Sequence, residues 1–420
     1  MHPGTGEPSI LCDPGDRPPG AAHPAPCLVA PGSSVKTVAP PRPPDHSGPF
    51  GLPSVPLPRH DDSVFVRACR RLPVERVPVW FMRQAGRSLP EYRALRGTGS
   101  ILEAIGQPEL VAELTLQPVR RYGTDAAILF SDIVVPAAAI GVGVDVRPGT
   151  GPIVEHPLRT RSDLARLRPF EPDVDAPEVG AAVSILAGEL TVPLIGFAGG
   201  PFTVASYLVE GGPSRSFARV RALMHGEEAL WFDLAERLGD LAVASLRSQL
   251  DAGASAVQLF DSWAGVLPPH HYEHFVLPVT RRIFAELASS HPGVPTILFG
   301  VGTGELLALM ATSGAQVVGV DWRVPLDAAR RRIGTDVAVQ GNLDPALCVA
   351  GPTVALAEAR DVLARAGTAP GHVFNLGHGV LPETDPAVLE AVVELVHAEG
   401  RAGVATPAST PAGPAASRPT

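Results

Sequence analysis

Short apolar runs recur eight times along the chain and alternate with longer stretches of helical periodicity. The runs cover 77–81, 126–130, 192–197, 256–260, 295–299, 316–320, 337–339 and 372–375. Between and after them, apolar residues three and four apart predict helices over 107–122, 176–189, 214–252, 272–290, 304–313, 325–333, 355–366 and 386–399. Alternating valines before a Pro-Gly-Thr-Gly turn at 148–151 predict a β-hairpin after the second run.

Eight strand-length runs separated by helices predict an α/β protein with a single (β/α)8 TIM barrel. An open doubly wound sheet is the alternative. The first run is not followed by the Gly-x-Gly-x-x-Gly pattern of dinucleotide-binding sheets. Polar residues follow the ends of nearly all eight runs, and a barrel gathers these ends on one face, where barrel enzymes place their sites.

The two ends of the chain differ in composition from the rest. Residues 1–60 hold 16 of the 46 prolines and show no hydrophobic period, which predicts disorder. They form either a genuine extension or the product of a gene start assigned too early. Residues 399–420 are rich in Ala, Pro, Ser and Thr and are also expected to be disordered. The predicted barrel domain therefore covers residues 61–398.

Composition narrows the class of protein. The net charge of −9 argues against binding to nucleic acid or to a membrane surface. The four cysteines are scattered without metal-ligand spacing, so neither a disulfide framework nor a zinc site is expected. No apolar run reaches the roughly 20 residues of a membrane helix, and the N-terminus lacks the pattern of a signal peptide. These features favour a cytoplasmic location.

A pair of arginines follows the first run. Arg83 and Arg87 flank Gln84, Ala85 and Gly86, where the chain is expected to turn. Arginine is costly to bury without an anion, so the pair serves either structural ion pairs or a ligand with carboxylates or phosphates.

Other polar residues at the predicted strand ends complete a candidate site. With the arginine pair, the predicted mouth holds Gln84, Asp132, Tyr207, Asp261, Ser262, Asp321, Asn342 and His378. Taken singly, the aspartates are also ordinary helix caps, Tyr207 a core residue and His378 a surface loop residue. No metal-ligand set, phosphate loop or nucleophile elbow is present. The set suits acid–base chemistry on a polyanionic organic substrate without a cofactor.

Several motifs resemble those of the uroporphyrinogen decarboxylase family. The resemblance extends over residues 61–398 and rests on Pro78-Val-Trp-Phe-Met-Arg-Gln-Ala-Gly-Arg87, Phe130-Ser-Asp132, Gly196-Phe-Ala-Gly-Gly-Pro-Phe-Thr203, Gln258-Leu-Phe-Asp-Ser-Trp-Ala-Gly265, Phe299-Gly-Val-Gly-Thr-Gly304, Gly341-Asn-Leu-Asp344 and Asn375-Leu-Gly-His-Gly379. Two departures are Ser88, where the family often has an aromatic residue, and Trp263, where histidine is common.

The resemblance implies a TIM barrel, usually homodimeric, that needs neither metal nor organic cofactor. Such enzymes convert the four acetate side chains of uroporphyrinogen III to methyl groups, giving coproporphyrinogen III and four CO2 in haem biosynthesis. It implies that residues 83–87 bind substrate, with Arg83 and Arg87 on its carboxylates, and that Asp132 accepts hydrogen bonds from the pyrrole NH groups. Tyr207, Ser262 and His378 resemble the remaining carboxylate-binding and positioning residues. The catalytic set would be Arg83, Asp132, Tyr207 and His378.

The chemistry of the reaction agrees with this assignment. Protonation of a pyrrole ring carbon creates a cationic electron sink, and a fixed carboxylate near the ring nitrogens stabilises that cation. Either an arginine or an ordered water delivers the proton. Two other hypotheses are a corrinoid-dependent methyltransferase, which would need zinc ligands, and a non-catalytic tetrapyrrole-binding protein.

Overall fold

The fold is an α/β arrangement of nine strands and seventeen α-helices in a computed structural model that describes residues 60–97, 99–147 and 149–401. The strands are β1 Ala127–Ile128, β2 Val144–Arg147, β3 Gly151–Val154, β4 Leu194–Gly199, β5 Ala256–Phe260, β6 Thr296–Phe299, β7 Val317–Gly319, β8 Ala338–Gln340 and β9 His372–Val373. The predicted tails fall outside these residues except for His60 and residues 399–401. Within the described ranges, no helix is both long and apolar enough to cross a bilayer.

The α-helices lie before, between and after the strands, and the first four precede β1. They are α1 Val64–Cys69, α2 Pro90–Arg96, α3 Ile101–Ile105, α4 Pro108–Tyr122, α5 Val135–Ala139, α6 Pro172–Asp175, α7 Pro177–Glu189, α8 Pro201–Glu210, α9 Ala218–Gly226, α10 Glu228–Asp251, α11 Pro269–Phe275, α12 Leu277–Ser290, α13 Leu307–Met310, α14 Leu326–Ile333, α15 Pro345–Val349, α16 Pro352–Ala366 and α17 Pro386–Glu399.

Seven strands form one curled parallel sheet in the order β1-β4-β5-β6-β7-β8-β9. Each strand therefore pairs with the next predicted run along the chain, for example Ile195 with Ala256 and Val257 with Thr296. The predicted hairpin is also present, as the antiparallel pair β2–β3. Parallel neighbours joined by helices place all seven carboxyl ends on the same edge of the sheet.

The first predicted run forms one parallel bridge, Val79 with Phe374, instead of a full strand. We call residues 78–82 the closure segment. On one side Phe374 N–H donates to Pro78 C=O (2.8 Å) and Trp80 N–H to Phe374 C=O (3.3 Å). On the other side Asp125 N–H donates to Val79 C=O (2.8 Å), immediately before β1. The closure segment thus lies between the last and first strands of the sheet.

A buried carboxylate holds the closure segment in place. Asp125 accepts two hydrogen bonds from Arg76 (2.7 and 2.5 Å), one from Val79 N–H (2.8 Å) and one from His397 Nε2 (2.9 Å). Burial alone would raise the pKa of Asp125, but the bonds from His397, Arg76 and Val79 lower it below its ordinary value. Asp125 is therefore ionised and joins the segment to α17.

Alternate residues of the strands face the inside of the curled sheet. The inward set contains Trp80, Met82, Ala126, Ile128, Ile195, Ala256, Ile297, Phe299, Val317, Ala338 and Val373. Phe65, Val66, Ala68 and Cys69 of α1 belong to the same cluster, so this helix covers one end of it. A polar pair crosses the interior: Gln340 donates to Gln258 (3.0 Å) and accepts from Trp80 Nε1 (3.1 Å).

Two predicted helices are divided. The stretch 272–290 breaks at Val276 between α11 and α12, because Pro278 lacks the N–H that a continuous helix needs. The stretch 214–252 becomes α9 and α10, separated by the non-helical Glu227 (φ −137°, ψ 61°). The glycine before it, Gly226, weakens the helix at that point.

Candidate active site

The turn after the closure segment positions Arg83. Arg83 has φ +59°, in the left-handed region that non-glycine residues seldom occupy. The adjoining backbone is fixed, since Met82 N–H donates to the side chain of Asn375 (3.0 Å) and Gln84 N–H to Phe81 C=O (3.0 Å). A Cβ on Gly379 would lie 2.5 Å from Arg83 Cδ, so this glycine gives the arginine stem its room.

The two arginines of the turn are exposed. Among the residues that the structure describes, neither guanidinium forms an ion pair or donates a hydrogen bond. The alternative of a structural ion pair is therefore not supported at either position. Backbone bonds shape the rest of the turn: Leu89 N–H donates to Gly86 C=O (3.0 Å), and Arg93 Nη1 to Arg87 C=O (2.5 Å).

Gln84 differs from its neighbours because its side chain is fully buried. Its Oε1 accepts from Phe81 N–H (3.1 Å) and its Nε2 donates to Ala126 C=O (3.1 Å). The side chain thus ties the turn to the first strand. Its predicted contact with substrate stays a prediction, and only the backbone of Gln84 could make it without breaking these bonds. Ala85 and Gly86 are half-buried.

Asp132 lies beyond the end of β1 and is half-buried. Its Oδ1 accepts a hydrogen bond from Val134 N–H (3.1 Å), as in a capping turn. Burial raises its pKa, and this outweighs the lowering by the Val134 N–H and by the Arg83 guanidinium. A carboxylate in these surroundings is under-compensated, so a cationic or NH-donating ligand would stabilise it.

Tyr207 lies on α8, which begins at Pro201 directly after β4. Burial raises its pKa to about 12, with a further increase from Asp132 and a decrease from Arg83. Its ring lies against Trp263, with centroids 4.2 Å apart, and Trp263 also contacts Phe217 (4.9 Å). Ser262, beside this tryptophan, is half-buried and its C=O accepts from Val301 N–H (3.1 Å).

His378 follows β9 between two glycines and is half-buried. Burial lowers its pKa to about 4, and the Arg83 and Arg323 guanidinium groups add to the decrease while Asp321 opposes it. The imidazole is therefore neutral at physiological pH. It meets the ring of Trp322 edge-on, with centroids 6.2 Å apart.

The structure thus brings four of the predicted residues together around one guanidinium. Arg83 is close enough to influence the pKa of Asp132, Tyr207 and His378. Ser262 precedes Trp263, whose ring lies against Tyr207. Arg87 instead acts on Tyr92, whose pKa it lowers.

The other three residues predicted at the strand ends, Asp261, Asp321 and Asn342, make hydrogen bonds that support the structure. Asp261 is buried, and its Oδ1 accepts hydrogen bonds from the N–H (2.8 Å) and the Oγ1 (2.6 Å) of Thr203, which fixes the start of α8. Burial raises the pKa of Asp261 to about 6. Asp321 accepts from Gly302 N–H and from Arg323. Asn342 donates to the carbonyl of Asp321 (2.8 Å). These side chains hold neighbouring loops together.

Three phenylalanines that the sequence analysis did not single out lie in the carboxyl-terminal halves of β4, β5 and β6. Phe197 and Phe260 have centroids 5.4 Å apart, and Phe260 and Phe299 6.0 Å, each pair edge to face. The first two are half-buried and pack on the interior cluster, so they form an apolar floor below the polar residues. The signal was available, since Phe197 is two residues from the inward Ile195 and successive even steps share a face.

The alternative of a corrinoid-dependent methyltransferase would need a set of zinc ligands. In the described part of the chain, no group of three His, Cys, Asp or Glu side chains is placed to hold a metal ion. Cys348, in α15 beyond β8, is buried, which raises the pKa of its thiol to about 12.

Comparison with known proteins places this chain in a family. A family model described as uroporphyrinogen decarboxylase (URO-D) matches residues 60–399. A protein of Salinispora tropica named uroporphyrinogen decarboxylase is 60% identical over 337 residues, covering 80% of this chain and 90% of its own. Proteins of the same name from Streptomyces coelicolor and Thermobifida fusca are 58% and 59% identical over 339 residues, with 80% of this chain covered and 95% and 93% of theirs.

A solved structure supports the fold. A methyltransferase from Methanosarcina mazei matches with a TM-score of 0.65 over 79% of this chain and 96% of its own, at 22% sequence identity. At this sequence identity the match supports only the fold. The family model and the relatives, in contrast, match nearly the whole described part of the chain. The protein therefore belongs to the uroporphyrinogen decarboxylase family.

Proposed function

We propose that the protein decarboxylates the four acetate side chains of uroporphyrinogen III, yielding coproporphyrinogen III and four CO2 in porphyrin biosynthesis. Family membership and the printed names of the relatives support the reaction. The observation that carries it is the position of Asp132: a half-buried carboxylate beside Arg83 and Tyr207.

We propose that Asp132 stabilises the cationic pyrrole ring that acts as the electron sink. In each decarboxylation a pyrrole ring carbon takes up a proton, and the ring nitrogen then shares a positive charge. The bond between the acetate methylene and its carboxylate breaks, CO2 leaves, and the electron pair neutralises the ring. The exocyclic carbon then gains a proton and the ring carbon loses one, which leaves a methyl group. A fixed carboxylate stabilises the cation, because the site is preorganised and partly shielded from water.

The neighbouring residues are proposed to dock and orient the macrocycle. Among the described residues the guanidinium groups of Arg83 and Arg87 have no ion-pair partner, which suits them to two-pronged contacts with substrate carboxylates. His378 is neutral and so offers a hydrogen bond without a charge. Tyr207 and Ser262 complete the polar wall, while Ala85 and Gly86 bring the backbone close to the ligand. The phenylalanine floor would exclude water beneath the pyrrole rings.

Some finer features belong to the same proposal. The closure segment would complete a (β/α)8 barrel, which its hydrogen bonds to both neighbours support. We further propose a cytoplasmic homodimer whose domain spans residues 61–398, acting without metal or organic cofactor.

The reaction is tested by anaerobic incubation with uroporphyrinogen III, followed by oxidation and chromatographic separation of the porphyrins by carboxyl count. Porphyrins with seven to four carboxyl groups should appear in succession. If the protein binds uroporphyrinogen III but all eight carboxyl groups persist, it is a binding protein and the proposal fails.

A further inference from the structure

Arg323 stands out among the charged residues that the proposed function does not use. It follows β7 by four residues, in the loop that ends near His378. Its side chain is half exposed (51%), while the Asp321 carboxylate that it pairs with is almost fully buried (1%). Besides its ion pair, Arg323 acts on a residue of the candidate site, since it lowers the pKa of His378.

Two contacts hold the guanidinium in one place. Its Nη1 donates to Asp321 Oδ2 (2.7 Å), and its Cζ lies 3.9 Å from the centroid of the Trp322 ring. The Trp322 ring in turn meets His378 edge-on. A guanidinium fixed by an ion pair and a stacked ring has little rotamer freedom left to lose when it binds a ligand.

The loop beneath Arg323 is also fixed from several sides. Asp321 accepts from Gly302 N–H of the preceding loop, and Asn342 of the following loop donates to the carbonyls of Asp321 (2.8 Å) and Val324 (2.6 Å). A Cβ on Gly377 would clash with the backbone of Trp322, so the loop after β9 packs directly on it. Arg323 is thus presented from a rigid support.

Part of the guanidinium remains available. Within the described ranges, its Nε and Nη2 make no hydrogen bond, and only Nη1 and the backbone N–H engage Asp321. The proposed substrate carries eight carboxylates, whereas Arg83 and Arg87 can each chelate one. Further cationic contacts are needed at the other strand ends, because every carboxylate left unpaired in a partly desolvated mouth is costly.

We propose that Arg323 is a further substrate-binding residue, which docks one substrate carboxylate on the β7 side of the mouth, beside His378. This inference rests on the proposed function for the nature of the ligand. A charge-assisted contact is worth about 1.5–3 kcal/mol, and a half-exposed one lies at the low end, which corresponds to about tenfold in affinity.

The test compares Arg323→Gln and Arg323→Lys with a matched control, Arg331→Gln, whose arginine is exposed and pairs with Asp327 on α14. Affinity for uroporphyrinogen III is measured anaerobically by titration calorimetry, with each change introduced beside Asp132→Asn so that turnover is slow. Initial rates are measured with the same changes in the otherwise unaltered protein.

We expect Arg323→Gln to raise Kd and KM about tenfold while kcat stays within about twofold. Arg323→Lys should lie between it and the unaltered protein, and Arg331→Gln should have no effect. Raising the NaCl concentration should weaken binding by the Asp132→Asn protein more than binding by the protein that also carries Arg323→Gln. If the glutamine change unfolds the loop, the lysine change carries the test.

Two results would overturn the inference. One is a Kd for Arg323→Gln within twofold of that for Arg331→Gln. The other is a fall in kcat at unchanged Kd, which would mean that Arg323 acts only through His378. A protein that binds in this pattern yet releases no CO2 would refute the proposed reaction and leave the carboxylate contact standing.

Discussion

Replacing Asp132 with asparagine separates a catalytic charge from a helix cap. The side chain keeps its size, and its oxygen can still accept from Val134 N–H, so the turn after β1 should survive. The exchange removes the negative charge and adds an NH2 group that opposes the pyrrole NH donors. It therefore isolates the interaction with the cation proposed to form on the ring.

The expected size of the effect follows from the surroundings of the carboxylate. For a partly buried pair of unit charges about 4 Å apart, the attraction is about 4 kcal/mol at an effective dielectric constant of about 20. Loss of such a preorganised contact corresponds to roughly a 10²–10³-fold fall in rate. Folding should not suffer, because the raised pKa of Asp132 means that its charge is unfavourable in the folded protein. The contribution of Asp132 to the free energy of unfolding is fully present below its ordinary pKa, where the side chain is protonated. It is lost as the pH rises through the raised pKa.

The assay is kcat/KM for uroporphyrinogen III, with the thermal midpoint measured in parallel. Asp132→Glu keeps the charge but moves it by one methylene, so its loss should be smaller and due to positioning. Asp173→Asn, at an exposed aspartate of α6, controls for a general change of charge. If Asp132 were only a cap, the asparagine variant would be nearly unaffected and the glutamate variant worse. An asparagine variant within threefold of the unaltered protein would refute the catalytic assignment.

Three further outcomes are expected. Arg87→Lys should lower kcat/KM although the charge is kept, because lysine cannot make the planar two-pronged contact, and unchanged kinetics would show that positive charge alone suffices. Deletion of residues 1–58, which lie outside the described residues, should leave turnover intact and the thermal midpoint within about 4 °C, and a larger fall would contradict the reading of their composition. Burial raises the pKa of Asp261 to about 6. Its contribution to the free energy of unfolding is therefore complete below the ordinary pKa and is lost as the pH rises through about 6. Asp261→Asn, which keeps the acceptor for Thr203, should remove this pH dependence, worth at most about 3 kcal/mol, in urea unfolding between pH 4.5 and 7; an unaltered profile would refute the assignment.

The hydrophobic periodicity was enough to locate the strands, but it did not show how the first predicted run contacts the first and last strands of the sheet. Seven of the eight apolar runs became paired strands in chain order, since each is bounded by helices and buried on both faces. The run at 77–81 carries the same pattern, yet it makes only the bridge at Val79. Its hydrogen bonds depend on Phe374 and Asp125, and contacts at such separations are not encoded in local pattern.

The sequence identified the residues of the candidate site better than it indicated their burial and their contacts with one another. Motif resemblance selected Arg83, Asp132, Tyr207 and His378, and the structure groups them. It did not reveal that Gln84 turns inward, because a glutamine within a polar turn has no local signal of burial. Nor did it reveal that the Trp263 ring lies against Tyr207, which arises because α8, after β4, packs on the loop after the neighbouring β5.

The closure segment also sets when the protein can first become active during synthesis. Met82 bonds to a side chain 293 residues further along, and Gly379 makes room for the stem of Arg83. Until the ribosome has released that distant stretch, the backbone beside Arg83 lacks its bond to Asn375, and β8 lacks its neighbour β9 and has an unpaired edge. A nascent chain that stops short of residue 374 should therefore be both inactive and exposed to chaperones, so premature termination even late in the gene would leave no partly working enzyme.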